Sequence, residues 1–178
     1  MHYKELEKLA LDSGFTHAVP LDTTTISLKQ EVRDMCKNGC QQYARRWSCP
    51  PGCGSLNELR EMICHYKKGI LVQTVTELED EFDWDGMIKA QNRHQEHFHL
   101  FLEKLCAFNP EFLPLGTGCC MICKTCSYPD APCRFPQKRI SSMEACGMVA
   151  SEVGSLPAES SEILLRTEYD CICSMRTG

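Results

Sequence analysis

Cys120, Cys123, Cys126 and Cys133 stand at C-x2-C-x2-C-x6-C inside "GTGCCMICKTCSYPDAPCRFP", residues 116–136, with Pro136 just behind. Bacterial ferredoxins hold [4Fe–4S] cubanes on a C-x2-C-x2-C-x3-C-P run. A cubane offers four separate iron corners, so a tight loop reaches three of them with neighbouring cysteines while a more distant one reaches the fourth. Zinc asks for four ligands on a single ion, which proteins usually supply as two C-x2–4-C pairs from separate turns. The spacing favours a cluster and leaves a four-cysteine zinc site as the alternative. Unliganded packing is the weakest reading of these four, because glycine, lysine, threonine, aspartate and proline break the segment. Cys119, next to Cys120, is read as a packing residue beside the loop.

A second block precedes it in the chain. "CKNGCQQYARRWSCPPGC" carries Cys36, Cys40, Cys49 and Cys53. Its C-x3-C opening resembles that of radical S-adenosylmethionine enzymes, but those place a third cysteine after two residues, and the chain is too short for their barrel. Neither proline of Cys49-Pro50-Pro51 has an amide to donate, so the chain is expected to be extended and rigid there. Tyr43 and Trp47 flank the turn, where apolar bulk would shield a cluster from water and tune its potential. Both blocks carry excess positive charge in a chain of net charge −5: Arg33, Lys37, Arg45 and Arg46 against Asp34 in the first, Lys124, Arg134, Lys138 and Arg139 against Asp130 in the second. Cations beside thiols favour the thiolate that binds metal.

Fourteen cysteines in 178 residues are the anomaly of an otherwise ordinary composition, 43% hydrophobic and 24% charged. Small secreted domains reach such densities through disulfides. This N-terminus, MHYKELEKLALDSG, is charged and amphipathic and does not read as a secretory signal, and the length supplies a core without staples. The expectation is a cytoplasmic chain whose clustered cysteines bind metal or do redox chemistry. No apolar run approaches a membrane span, and no long basic stripe suggests nucleic acid. There is no Gly-rich phosphate loop, hydrolase serine signature or nucleotide-binding fingerprint.

The elements that must position these blocks follow from periodicity. Tyr3, Leu6, Leu9 and Ala10 make a helical stripe ending near Gly14, and "FTHAVPL" (15–21) reads as a strand. "TISLKQEVRDMCKN" (25–38) reads as a helix running into the first block. Ser55 with Glu58 is a capping-box signature for a helix near 56–66, and the β-branched "GILVQTVTEL" (69–78) is a central strand. A long helix is expected over 84–107, with Trp84, Met87, Ile88, Gln91, His94, Phe98, Phe101, Leu102 and Leu105 on one stripe and Asn109-Pro110 ending it. "EFLPLGT" (111–117) should be extended. Ser141 with Glu144 reads as a second capping box, opening a helix that closes at Gly154, and "ILLRTEYDCICSM" as one or two strands. The result is a single domain over 1–178, α/β or α+β, with a mixed sheet of about four strands, helices, and two cysteine-rich loops at 36–53 and 119–136.

Other candidates carry smaller weight. His94 and His97 are spaced to chelate, but His94 lies in the apolar stripe, where a hydrogen-bonded core histidine is expected. Cys64, Cys106 and Cys146 fall inside helical patterns and read as small buried hydrophobes. Cys171 and Cys173 alternate in the last strand and read as packing residues. Glu144 reads as a capping acid, not a catalytic base.

"EVRDMCKNGCQQYARRWSCPP" with "GTGCCMICKTCSYPDAPCRFPQKRISSMEACGMV" resembles the family of predicted metal-binding proteins catalogued as domain of unknown function 2284. The matching pattern is V-R-x2-C-x3-C-x2-Y-x3-W-x-C-P-P from Val32 to Pro51, then G-x-C-x2-C-x2-C, C-R-x-P and S-M-E-A-x-G from Gly118 to Gly147. The resemblance implies Cys36, Cys40, Cys49, Cys120, Cys123, Cys126 and Cys133 as metal ligands; Cys53 and Cys119 lie outside its pattern. The expected cofactors are two [4Fe–4S] clusters, one per block, with Cys53 closing the first, and the expected role is electron transfer to a redox partner protein. If Cys53 is not a ligand, an open iron at the first site would suit an enzyme acting on a small-molecule substrate. A zinc-bound structural or interaction module is the reading from a different class.

Overall fold

The computed structural model describes residues 3–66, 68–80, 82–108, 112–154 and 169–175, the last segment and residues 151 and 154 as backbone. The amphipathic start of the chain forms α1 (Tyr3–Leu11), which buries Leu6 and Ala10. Gly14, at φ 106°, turns the chain into β1 (His17–Asp22). Asp22 then caps a 3-10 turn over Thr23–Thr25, so the helix expected from residue 25 starts only at Gln30, as α2 (Gln30–Gly39). α3 (Leu56–Cys64) opens on the expected capping box: Glu58 N–H donates to Ser55 Oγ at 3.3 Å and Ser55 N–H to Glu58 Oε2 at 2.7 Å.

β2 (Lys68–Thr74) is followed by α4 (Trp84–Cys106), capped by Asp83, whose Oδ1 accepts from Gly86 N–H at 2.8 Å. The buried stripe of α4 is Ala90, His94, Phe98, Phe101 and Leu105; Trp84 and Ile88, expected on it, are 70% and 54% exposed. They lie in the first turns, before the helix reaches the sheet face that covers its later part. Asn109-Pro110, expected to end this helix, lie outside the described residues; α4 stops at Cys106. β3 (Phe112–Gly116) leads into the second cysteine block.

The helix expected from Ser141 to Gly154 is replaced by three short pieces. Ser141–Ser142 form β4, paired in parallel with Leu115–Gly116. A 3-10 turn over Glu144–Cys146 follows, with Met143 at its N-cap position and no side-chain cap, while Ser142 Oγ accepts from Ala145 N–H at 3.0 Å. Gly147 closes it at φ 89°, where an added Cβ would stand 2.7 Å from Leu56 Cδ1 and 3.0 Å from the Lys29 carbonyl. Strand pairing to β3 claims the serines that local patterning assigned to a helix. Only α5 (Ala150–Gly154) is helical.

β5 (Tyr169–Met175) enters between β2 and β3, giving a five-stranded sheet in the order β1-β2-β5-β3-β4, all antiparallel except β3/β4. The mixed sheet has one strand more than the expected four, the two-residue β4. β2 is buried on both faces, as its continuous apolar run implies. Ile70 and Val72 pack with α1 and α4, through Leu6, Ala10, Phe98, Phe101 and Leu105. Leu71, pointing the other way, packs with Leu59 and Ile63 of α3 and with Met143, Cys146 and Met148. Cys53 belongs to this second core, so the first block is anchored on the α3 side of the sheet. Among the described residues, no helix is long and apolar enough to cross a membrane.

Candidate metal centre

The second block is a loop held from outside by the first. Gly118, at φ 69°, bends the chain out of β3 in a conformation that L residues rarely adopt. Cys120 N–H then donates to Ser48 Oγ at 3.1 Å, and Arg46 Nη1 to the Cys120 carbonyl at 2.8 Å. Farther along, Trp47 Nε1 donates to the Ala131 carbonyl at 3.0 Å, and its ring meets Tyr128 edge-on at 4.9 Å. Within the loop, Ser127 Oγ donates to the Pro132 carbonyl at 2.8 Å and Arg134 Nη1 to the Thr125 carbonyl at 2.9 Å. With few apolar residues of its own, the loop owes its shape to these bonds.

Cys120, Cys123, Cys126 and Cys133 all line one small cavity of about 20 Å³ that is partly open to solvent. Arg46 and Arg139 share the lining, and Trp47, Ile122 and Phe135 supply apolar walls. For Cys126 burial raises the thiol pKa, but amides of Trp47, Tyr128 and Ser127 and the Arg46 guanidinium outweigh it, so the net shift is downward. That thiol is biased towards the form that binds metal.

The first block is built differently. Cys36 and Cys40 lie one helical turn apart at the end of α2, with Cys40 N–H donating to the Cys36 carbonyl at 3.2 Å. Beyond them, residues 49–53 are not extended as expected but turn tightly, with Cys53 N–H donating to the Cys49 carbonyl at 3.0 Å and a cis Pro50–Pro51 peptide. Prolines without amides leave nothing unsatisfied inside such a turn. Buried Arg33 spans the block, donating through Nη1 to the Ala145 carbonyl and through Nη2 to the Gly54 carbonyl, both at 2.7 Å.

Thiols here are pushed up, not down. Burial lifts Cys49 to about 11, with Cys119, Cys40 and Cys53 adding repulsion and the Ser48 hydroxyl opposing. Cys53 is raised by burial, against the Arg33 guanidinium. Burial also raises Cys36, aided by Cys40 and Glu144, and Cys119, against Arg46.

The blocks meet. Ser48 Oγ, which holds Cys120, is 3.8 Å from Cys49 Sγ, and Gly52 packs so closely that a Cβ there would stand 2.8 Å from the Arg46 carbonyl and from the Tyr128 ring. Cys119, read from the sequence as packing, lies in electrostatic reach of Cys40 and Cys49. Arg33, Arg46 and Ser48 were legible only as charge or spacer, although V-R and R-R-W sit inside the quoted motifs. Among the described residues no three His, Cys, Asp or Glu side chains converge on a point that would hold one metal ion.

The smaller candidates sort out as follows. His94 is 1% exposed, with Nδ1 2.8 Å from Thr74 Oγ1, and burial with the nearby His97 lowers its pKa to about 4; it is the core histidine expected. Cys146 is buried and raised to about 12. Cys64 and Cys106 are exposed, contrary to expectation, because each is the residue after a buried Ile63 or Leu105 and so points a quarter-turn off the core stripe. Cys171 and Cys173 lie in β5, in register with Val72 and Ile70; their side chains lie outside the described residues.

Two cysteine blocks in this order, locked together by the residues between Arg46 and Gly52, make a pattern that can be compared with known proteins. The family model DUF2284, predicted metal-binding protein, matches residues 4–156 and so encloses both blocks. The chain belongs to this family. No curated protein and no solved structure gives a significant match. DUF2284 is described as a family of predicted metal-binding proteins, and four of the cysteines in the quoted motifs line the one small cavity. A larger cavity of about 200 Å³ of solvent-sized space adjoins it, lined by Cys119, Cys120, His99, Lys138 and Thr117 among others.

Proposed function

We propose that the chain carries two [4Fe–4S] clusters and transfers electrons to a redox partner protein. Cys120, Cys123, Cys126 and Cys133 hold one cluster; Cys36, Cys40 and Cys49, closed by a fourth thiol, hold the other. The observation that carries this reading is the shared lining of one cavity by four thiols from a C-x2-C-x2-C-x6-C run. Thiolates on one tetrahedral zinc sit about 3.8 Å apart, from zinc–sulfur bonds of about 2.3 Å. Four thiols around one cavity, three from neighbouring residues and one from farther along the loop, suit the corners of a cluster. Such a cluster, when bound, accepts and releases single electrons.

The chain's own residues do the rest. Arg46 and Arg139 offset the negative charge of four thiolates, and amides directed at Cys126 favour its ionised form. Trp47, Ile122 and Phe135 restrict water at the cavity, which tunes a redox potential. A second reading, an iron–sulfur enzyme, draws on the adjoining 200 Å³ cavity, where Lys138 and His99 could meet a small anionic substrate. Metal analysis and absorption after anaerobic purification test the first reading. Iron with matching sulfide and a band near about 400 nm is the expected result; stoichiometric zinc in a colourless protein overturns it.

A further inference from the structure

We propose that Cys119, and not Cys53, is the fourth thiol of the first set, so that the loop of one block supplies the closing ligand of the other. The inference rests on the two-set reading above and concerns which sulfur completes it.

Cys53 is already occupied. It is 8% exposed within the core of Leu59, Ile63, Met143 and Met148. Its Sγ accepts from Arg33 Nη1 at 3.5 Å and donates its own proton to the Ala145 carbonyl at 3.6 Å. Arg33 in turn ties the same Ala145 carbonyl and that of Gly54. Thiol, guanidinium and two carbonyls form a set with every polar group satisfied. Ligation would strip the proton from Cys53 and turn its sulfur against the Ala145 oxygen, at the cost of a buried hydrogen bond.

Cys119 has the opposite surroundings. It is only partly buried, and its sulfur has Met121 Sδ as neighbour at 3.6 Å, a weak acceptor that costs little to leave. Its position beside the first block is fixed by the bonds of the next residue. Cys120 N–H is held on Ser48 Oγ, itself in contact with Cys49 Sγ, and the Cys120 carbonyl is held by Arg46. The Cys119–Cys120 peptide is therefore seated against Ser48, the residue before Cys49. Arg46 beside Cys119 would offset its thiolate. Cys120 lines the cavity of the second set and Cys119 does not, although both border the adjoining cavity.

The full chain, wild type, Cys119→Ala and Cys53→Ala, is reconstituted anaerobically with iron and sulfide, and iron and acid-labile sulfide are counted per chain. Cys119→Ala is expected to lose about half of the wild-type iron, the retained half also reporting that the variant is folded. Cys53→Ala is expected to keep all of it, and Cys53→Ser replaces it should the alanine fail to fold. Wild-type iron in Cys119→Ala, or half of it in the Cys53 variant, overturns the inference. Should the wild type take up two zinc ions instead, the cluster reading fails. The ligand assignment then stands if Cys119→Ala loses one zinc and the Cys53 variant none, and falls on the reverse. A wild type that takes up neither metal overturns both.

Discussion

The two cysteine blocks of this chain bring thiols together by opposite means. The first is assembled on structure: a helix end, a turn buried in the core, and Arg33 threaded between two carbonyls. The second has almost no core of its own and takes its shape from Ser48, Arg46 and Trp47 of the first. Their thiols differ accordingly. Burial pushes the Cys49 and Cys53 thiols up, while amides and Arg46 draw Cys126 towards the thiolate. A rigid frame that costs its thiols their charge thus supports a loop that favours it. For its shape the loop depends on the frame, which is how the comparison can be broken.

The largest effect expected is all-or-none. Cys123→Ala should abolish metal at the second set and leave the first set loaded, because the first is anchored in the core; metal counts per chain check this, and loss of both sets would show that the frame depends on the loop. Next comes a rate. In the metal-free chain at pH 7, Cys49, raised from 9.0 to about 11, should alkylate about 100-fold more slowly than an ordinary thiol. Cys126 should alkylate faster than an ordinary one, as followed by mass spectrometry with iodoacetamide; equal rates would erase the electrostatic contrast.

Stability changes are smaller. Arg33→Ala leaves the buried Ala145 carbonyl and the part-buried Gly54 carbonyl without their charged donor and should cost about 3 kcal/mol, read as a fall of roughly 8 °C in the melting temperature. The smallest effect is expected where the blocks touch. Gly52→Ala puts a methyl 2.8 Å from the Arg46 carbonyl and the Tyr128 ring, a strain of about 2 kcal/mol. It should loosen the second set's metal more than the first's, and a chelator challenge of the loaded protein distinguishes them.

Much of the frame was legible because it is local. The capping box at Ser55, the stripe of α1 and the β-branched run of β2 each state their own structure within a few residues. The four thiols of the second cavity were legible for the same reason, since their spacing is the signal. What was not legible depends on distant partners. Ser141 and Glu144 satisfy a helix pattern, yet β3 takes Ser141 into the sheet, and Ser142 accepts from Ala145 N–H instead. The position of Cys119 beside Cys40 and Cys49 follows from Ser48 reaching the Cys120 amide across 72 residues of chain, which no spacing rule encodes. Trp84 and Ile88 have the right period for α4 but stand exposed in its first two turns.

The central claim is that these blocks hold two separate four-iron clusters, and anaerobic iron and sulfide analysis of the wild-type chain tests it most directly. The account predicts a brown protein with about eight iron and eight sulfide per chain. A colourless protein with stoichiometric zinc, or iron for a single cluster that is lost alike from Cys49→Ala and Cys123→Ala, would contradict it.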